Sequence, residues 1–459
     1  DYLQNQVLKK KWGFPGFVVS DWGAVHDVVG PANAGLDVEM PSGEFWGNGQ
    51  LLAAVLSGQV SEATVDDKVR RILRVMIGSG TFDRKDSARP AKNVINSRAH
   101  QLLALTAAQQ SVVLLKNSRS VLPLLGGTST FRKIAVVGPN AATGHNNGGG
   151  SSRVLPFYDI APLQGLRNRA GSRLSLSHAE GLRWPSDFTA VASELLAPGL
   201  TGEYFNNPNL EGSPVLTRID PTLDFSWVGA HPDSSLPREN YSVRWSGKYH
   251  AQAAGTHEIA VRSDDGVRLY FDGRLLVDDW TAHAPTNNWA RVELEAGRDY
   301  DLRIEYFEAT GGGEIRLGIS PDPIAQEKAD REKALQLAQS NDAVLLFVGF
   351  DETVESEGID RKSMNLPEGQ DQLIWDIAKI NRNTIVVING GGSVLMPWLA
   401  EVAAVVQAWY PGQEGGHAIA DLLLGRENFS AKLPVSFYAR EEDTSSYGNY
   451  PGAEGEVHC

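Results

Sequence analysis

Apolar residues fall along this chain in three textures. Short unbroken runs come first and last: Gly16-Phe-Val-Val-Ser20 near the start, then Ile134-Ala-Val-Val-Gly138, Ala343-Val-Leu-Leu-Phe-Val-Gly349, Thr384-Ile-Val-Val-Ile-Asn389 and Val402-Ala-Ala-Val-Val-Gln-Ala408. Runs without alternation predict strands buried on both faces, the habit of parallel sheets covered by helices. Helical spacing separates them. Ser61 is a plausible N-cap for a helix carrying Val65, Val69, Ile72, Leu73 and Met76 on one side, and further helical stretches run over 98–114, 327–340 and 369–380. The third texture, residues 200–320, alternates with period two in Val243–Tyr249, Leu302–Tyr306 and Ile315–Ile319. Turn signals Asp265-Gly266 and Asp272-Gly273 bracket Val267–Phe271, as in a hairpin meander. The pattern predicts βα units at the start, a domain junction after Leu122, and an all-β domain inserted into a second α/β domain whose two parts form one sheet.

Composition narrows this little. With 459 residues the chain exceeds what one core usually serves, and its 42% hydrophobic and 21% charged residues are those of a soluble globular protein. A net charge of -14 argues against a nucleic-acid partner, because phosphate binding needs clustered Lys and Arg. The single cysteine, Cys459, excludes an intrachain disulfide. No stretch approaches a membrane span, and Asp1-Tyr2-Leu3-Gln4 is no signal peptide, so cytoplasmic and secreted locations both stay open.

Two acidic features stand out. Asp21 lies just past the end of its strand, where parallel α/β barrels and sheets gather reactive groups, although position alone favours a cap for the next helix or turn. Trp22 beside it suits either stacking on a sugar ring or half-burial in a core. The second is Glu352-Thr-Val-Glu355-Ser-Glu357-Gly-Ile-Asp360-Arg361. Its carboxylates repel one another, which raises the pKa of one member as a general acid requires; the competing reading is an exposed acidic loop with Arg361 as partial counter-ion. The loop Asn146–Ser152 lacks the spacing of a phosphate cradle and reads as a flexible turn. Scattered histidines show no metal-like pairing, so no metal and no cofactor is expected.

Gly13-Phe-Pro-Gly-Phe-Val-Val-Ser-Asp-Trp22 with Ala34-Gly-Leu-Asp-Val-Glu-Met-Pro41 resembles the nucleophile segment of glycoside hydrolase family 3, β-glucosidase branch. Ser111–Asn117 resembles the family's link from barrel to second domain, and Trp409-Tyr-Pro-Gly-Gln-Glu-Gly-Gly416 with Ser430-Ala-Lys-Leu-Pro434 resembles the end of that second domain, with Phe429 and Ala431 as minor departures. Ser263-Asp-Asp-Gly266 resembles a PA14 domain. The resemblance implies an α/β multidomain fold: residues 1–100 as the C-terminal part of a TIM-like (β/α)8 barrel, 101–132 as linker, 133–195 and 323–438 as an α/β sandwich domain, 196–322 as the PA14-like insertion, and 439–459 as a linker toward a further domain. It implies a retaining, exo-acting β-glycosidase with Asp21 as nucleophile and Glu357 as acid/base, Glu355 being the nearby rival, and with Trp22, Glu355 and Arg361 contacting substrate. Two such carboxylates face one sugar ring at roughly 5 to 5.5 Å.

The expected partner is an oligosaccharide or an aryl or alkyl β-glycoside, with no nucleic acid and no membrane. Only the last part of a barrel is present on this reading, so the chain is expected to be a fragment whose upstream sugar-gripping residues are missing. Alternatives are a β-xylosidase, a family 3 N-acetylhexosaminidase or phosphorylase, and a carbohydrate-binding module whose working part is the β domain.

Overall fold

The structure is a computed structural model that describes residues 1–84, 94–126, 130–184, 188–227, 230–309, 312–321, 323–357, 361–367 and 369–449. Gly358 and Asp360 of the acidic run, and residues 450–459 of the expected terminal linker with Cys459, lie outside the described residues. The chain divides into two compact units, Asp1–Ile95 and Asn96–Cys459.

The first unit is helical: a π-helix Tyr2–Lys11, α1 (Val29–Ala34), α2 (Gln50–Leu56) and α3 (Glu62–Gly78), the last capped by Ser61, whose side chain accepts from the Thr64 amide. The strand expected at Gly16–Ser20 is reduced to an isolated parallel bridge between Val19 and Val38. A strand needs neighbours on both sides to extend its ladder, and among the described residues Val38 is the one partner it has here. The unit's buried cluster is small, Ala32, Ala54 and Val60, and the α3 residues Val69 and Leu73, which the spacing turns toward a core, stay substantially exposed.

The second unit begins with α4 (Arg98–Ser111), β1 (Val113–Asn117), β2 (Lys133–Val137), α5 (Pro162–Ala170) and β3 (Ser175–Ala179). It then runs through antiparallel strands β4 (Leu200–Phe205), β5 (Leu216–Asp220), β6 (Asp224–Ser226), β7 (Tyr241–His250), β8 (Gly255–Asp264), β9 (Val267–Phe271), β10 (Arg274–Asp279), β11 (Thr286–Leu294), β12 (Asp299–Glu308) and β13 (Glu314–Pro321). It returns through α6 (Pro323–Ser340), β14 (Ala343–Gly349), α7 (Gln370–Ile380), β15 (Thr384–Asn389), β16 (Ala404–Gln407) and α8 (Gly415–Leu424).

The segments flanking the β region share one mixed sheet of order β1-β16-β15-β14-β2-β3, parallel except for β1. Alternate residues feed two cores. Leu345, Phe347, Ile385 and Val387 pack with Leu166 and Ile419 on one face, while Val344, Leu346, Val386 and Ile388 pack with Leu373 and Ile377 on the other. This double burial is why the strands read as uninterrupted apolar runs. Val113–Asn117, inside the stretch expected to be linker, is an edge strand of this sheet, and α4 packs in the same unit. Gly138 follows β2 and Gly349 ends β14, with φ of 112° and 141°, and a Cβ there would sit 1.9 and 1.8 Å from the carbonyl oxygens of Phe347 and Asn389. Only glycine allows the chain to turn out over the strand ends at that distance.

The β region is two sheets, β10-β9-β12-β7-β4-β5 and β11-β8-β13-β6, around a core rich in Trp245, Tyr204, Tyr241 and Tyr306. Asp272-Gly273 closes a hairpin between β9 and β10, as expected. Asp265-Gly266 does not: β8 and β9 belong to different sheets, so that turn is a corner between layers. Both kinds of turn use the same residues, and only the pairing partners distinguish them.

Candidate functional site

In the first unit, Asp37 ties the two halves of the Asp21 motif together. Its buried carboxylate accepts from Lys9 Nζ at 2.6 Å and from the Val18 amide at 2.8 Å. Ser20 N donates to Val38 O at 2.9 Å, and Ser20 Oγ accepts from the Met40 amide at 2.9 Å. Lys68 holds the next turn by donating to the carbonyls of Ala32 and Leu36 at 2.7 and 2.5 Å, and burial pushes its ammonium down to about 8. The chain leaves this frame at Asp21. Asp21 does not cap a helix: α1 starts eight residues later and has no side-chain cap. Among the described residues its carboxylate accepts from the adjacent Trp22 amide alone, at 2.8 Å, and Trp22 is 64% exposed. An exposed carboxylate and an exposed indole therefore share one solvent-facing turn.

In the second unit, loops leaving the C-terminal ends of four sheet strands converge. Gln370 pins the exit of β14, its amide donating to and accepting from the Gly349 backbone at 3.0 and 2.8 Å. The following loop winds on Asp351, whose carboxylate accepts from Thr353 N at 3.0 Å and from its hydroxyl at 2.6 Å. Glu355 then points inward. It accepts from Gly391 N, after β15, at 2.6 Å and from the Tyr410 hydroxyl, after β16, at 2.5 Å, with Arg361 Nε at 3.6 Å. Arg361 lies over the Phe350 ring at 4.8 Å and donates to Ser393 O. Burial, and next the Glu355 charge, raise the Tyr410 phenol far above its ordinary value.

Glu352 faces another way, toward Arg262 of β8 at 2.9 Å and Arg153 at 3.5 Å. Glu357 is fully exposed and accepts from the Ser151 amide at 2.5 Å, next to a parallel bridge between Gly149 and Ser356. The stretch expected to be a flexible turn is thus the strut behind Glu357. Mutual repulsion does not raise its pKa, as the clustering suggests; hydrogen bonds from Ser151 hold the carboxyl below its usual value. The described acidic side chains point to separate partners, so each charge is answered individually.

Sequence reasoning assigned no role to Ser151, Arg153, Arg262 or Tyr410. Tyr410 lies within a run quoted for its resemblance, and Ser151 within the Gly-rich loop, so signals for those two were present; the arginines carry none. No helix among the described residues is long and apolar enough to cross a membrane.

Comparison with known proteins covers almost the whole chain. The profile described as glycosyl hydrolase family 3 C-terminal domain matches residues 112–457, and the family's N-terminal domain profile matches residues 1–75. The chain is 35% identical to a beta-glucosidase of Rhizobium radiobacter and 32% identical to beta-glucosidase B of Emericella nidulans, over 99% and 98% of its own length but only 56% and 55% of theirs. It spans about half the length of the curated relatives it matches. A beta-glucosidase from Kluyveromyces marxianus solved in complex with glucose superposes with a TM-score of 0.75 at 26% identity, over 99% of this chain and 57% of that one. A beta-glucosidase from Streptomyces venezuelae in complex with D-glucose gives 0.66 at 30% identity, over 99% of this chain and 55% of that one.

Proposed function

The chain belongs to glycosyl hydrolase family 3, and on that premise we propose that it works as a retaining, exo-acting β-glucosidase releasing terminal β-D-glucosyl residues. The observation that carries the assignment of roles is the contrast between committed and uncommitted carboxylates. Asp37 and Glu355 are buried or half-buried and hold backbone and side chains in place, whereas Asp21 and Glu357 are exposed, Asp21 accepting from the neighbouring Trp22 amide and Glu357 from Ser151. A nucleophile and an acid/base have to be accessible to substrate and free to change partners. Asp21 attacks the anomeric carbon and the bond to the leaving oxygen breaks as Glu357 gives it a proton. Glu357 then takes a proton from water, which displaces Asp21 and frees the sugar with its original configuration. Trp22 stacks on the sugar face, and Glu355 with Arg361 shapes the loop and contacts substrate hydroxyls.

The same reading takes residues 1–100 as the last part of a (β/α)8 barrel and 196–322 as a PA14-like domain that limits the aglycone. Arg262 donating to Glu352 supports a link between that domain and the acid/base loop. The test is hydrolysis of aryl β-glucosides by the product of the complete gene. Asp21→Ala should abolish turnover, and azide should restore it to Glu357→Ala but not to Glu355→Ala. Intact turnover in Asp21→Ala refutes the mechanism.

A further inference from the structure

Loops leave the C-terminal ends of β14, β15 and β16, and the half-buried Tyr410 stands where they meet. Its hydroxyl donates to Glu355 Oε2 at 2.5 Å, and the same oxygen accepts from Gly391 N at 2.6 Å, so one carboxylate oxygen joins all three loops. Glycines press against the ring. A Cβ at Gly391 would lie 3.4 Å from Tyr410 Cε2, and one at Gly148, in the loop behind Glu357, 3.8 Å. That fourth loop is tied to the segment after β16 again where Gly412 N donates to Asn146 O at 3.1 Å.

The aim of Tyr410 is fixed by the residue before it. Trp409 has a φ of 55°, a left-handed conformation that a bulky side chain adopts only where its surroundings hold it. Here they do: the Trp409 indole donates to Ser111 O at 3.0 Å, and its carbonyl accepts from Asn389 Nδ2 at 3.2 Å. Burial, and next the Glu355 charge, raise the Tyr410 phenol far above its ordinary value, so it keeps its proton and stays a donor.

Glu357 lies two residues beyond Glu355. From one side this stretch is held by the Ser151 amide, which donates to Glu357 at 2.5 Å, and by the bridge between Gly149 and Ser356. From the other it is held through Glu355. We propose that Tyr410 is a positioning residue for Glu357: by fixing Glu355 it keeps residues 355–357 in the register from which Glu357 gives its proton to the leaving oxygen. The inference rests on the glycosidase reading and adds to it a residue that acts through Glu355.

The test compares Tyr410→Phe with the parent, both as the product of the complete gene, on two aryl β-glucosides. Phenylalanine keeps the ring against Gly148 and Gly391 and removes only the donor. Phenolate leaves poorly without a proton whereas dinitrophenolate needs none, so a displaced acid is felt with the first substrate and not with the second. The kcat/KM for phenyl β-glucoside should fall roughly a hundredfold, the scale of a misplaced acid, and that for dinitrophenyl β-glucoside by less than about threefold. Hydrogen exchange gives a readout independent of turnover. The Val354 and Glu355 amides, which donate to Asp351 O at 3.2 and 3.0 Å, should exchange faster in the variant, while an unchanged pattern over β14 and β15 shows the fold intact. Equal losses on the two substrates overturn the proposal, because they mark a general defect of folding or binding. So does the absence of loss on either, or unchanged exchange of the two amides. A parent that hydrolyses neither glucoside refutes the glycosidase reading instead, and the exchange of Val354 and Glu355 then still decides whether Tyr410 holds the loop.

Discussion

Ser151 and Glu357 set a problem that any acid/base role for this glutamate has to solve. Hydrogen bonds from Ser151 stabilise the carboxylate and hold its pKa below the ordinary value, yet a group that protonates a leaving oxygen must keep its proton at the working pH. Weakening the Ser151 contact moves Glu357 in the useful direction. Ser151→Ala removes the hydroxyl and should raise the Glu357 pKa; because the acid must be protonated, the alkaline limb of kcat/KM on an aryl β-glucoside should shift to higher pH. A limb that stays fixed or moves down would show that Ser151 does not control this proton. At this scale the sequence was legible only where residues are neighbours in the chain. Asp21, Trp22 and Glu357 are embedded in continuous runs, whereas Ser151 meets Glu357 across 206 positions and Tyr410 meets Glu355 across 55, and no local spacing encodes such meetings.

Elements buried on both faces were the most readable, because β14 and β15 admit no polar residue on either side except at their ends. Those with an exposed edge were not: Val113–Asn117 is half-covered and passes for a linker, and Gly16–Ser20 shrinks to one bridge. What holds that bridge region is electrostatic more than apolar. The Lys9–Asp37 pair has side chains 5% and 0% exposed, joining the first helix to the segment behind Asp21. Removing one partner of such a pair leaves an uncompensated buried charge, at a cost of about 3–5 kcal/mol. Asp37→Asn should therefore destabilise the first unit by about that amount in urea unfolding, while Asp37→Asn combined with Lys9→Met should recover most of the loss. Equal stability of the single variant and the parent would mean the pair is solvated in practice.

For the chain as a whole, the insertion of a β region into an α/β unit could be read from the change of period, but its internal electrostatics could not, since burial of individual carboxylates depends on how two sheets close. Glu308 of β12 is buried beside Tyr306, and burial, reinforced by Asp265 and Asp264, pushes its carboxyl up to about 8; Asp264 is pushed up to about 7 by burial and by Asp265. Both folded values exceed the unfolded ones of about 4, so the folded state binds more protons across the interval between them. Their contribution to stability is complete below the unfolded values and is lost as pH rises through about 7 to 8. The β region should consequently be more heat-resistant near the acidic end of this window than at its alkaline end. Glu308→Gln keeps an acceptor for the Tyr306 hydroxyl without ever ionising. It should raise the unfolding midpoint above that of the parent by a few degrees on the alkaline side of the window and leave it nearly unchanged on the acidic side, as differential scanning calorimetry at both pH values can decide. A parent transition that rises steadily with pH, with no narrowing of the gap to Glu308→Gln on acidification, would show that Glu308 stays ionised in the folded chain.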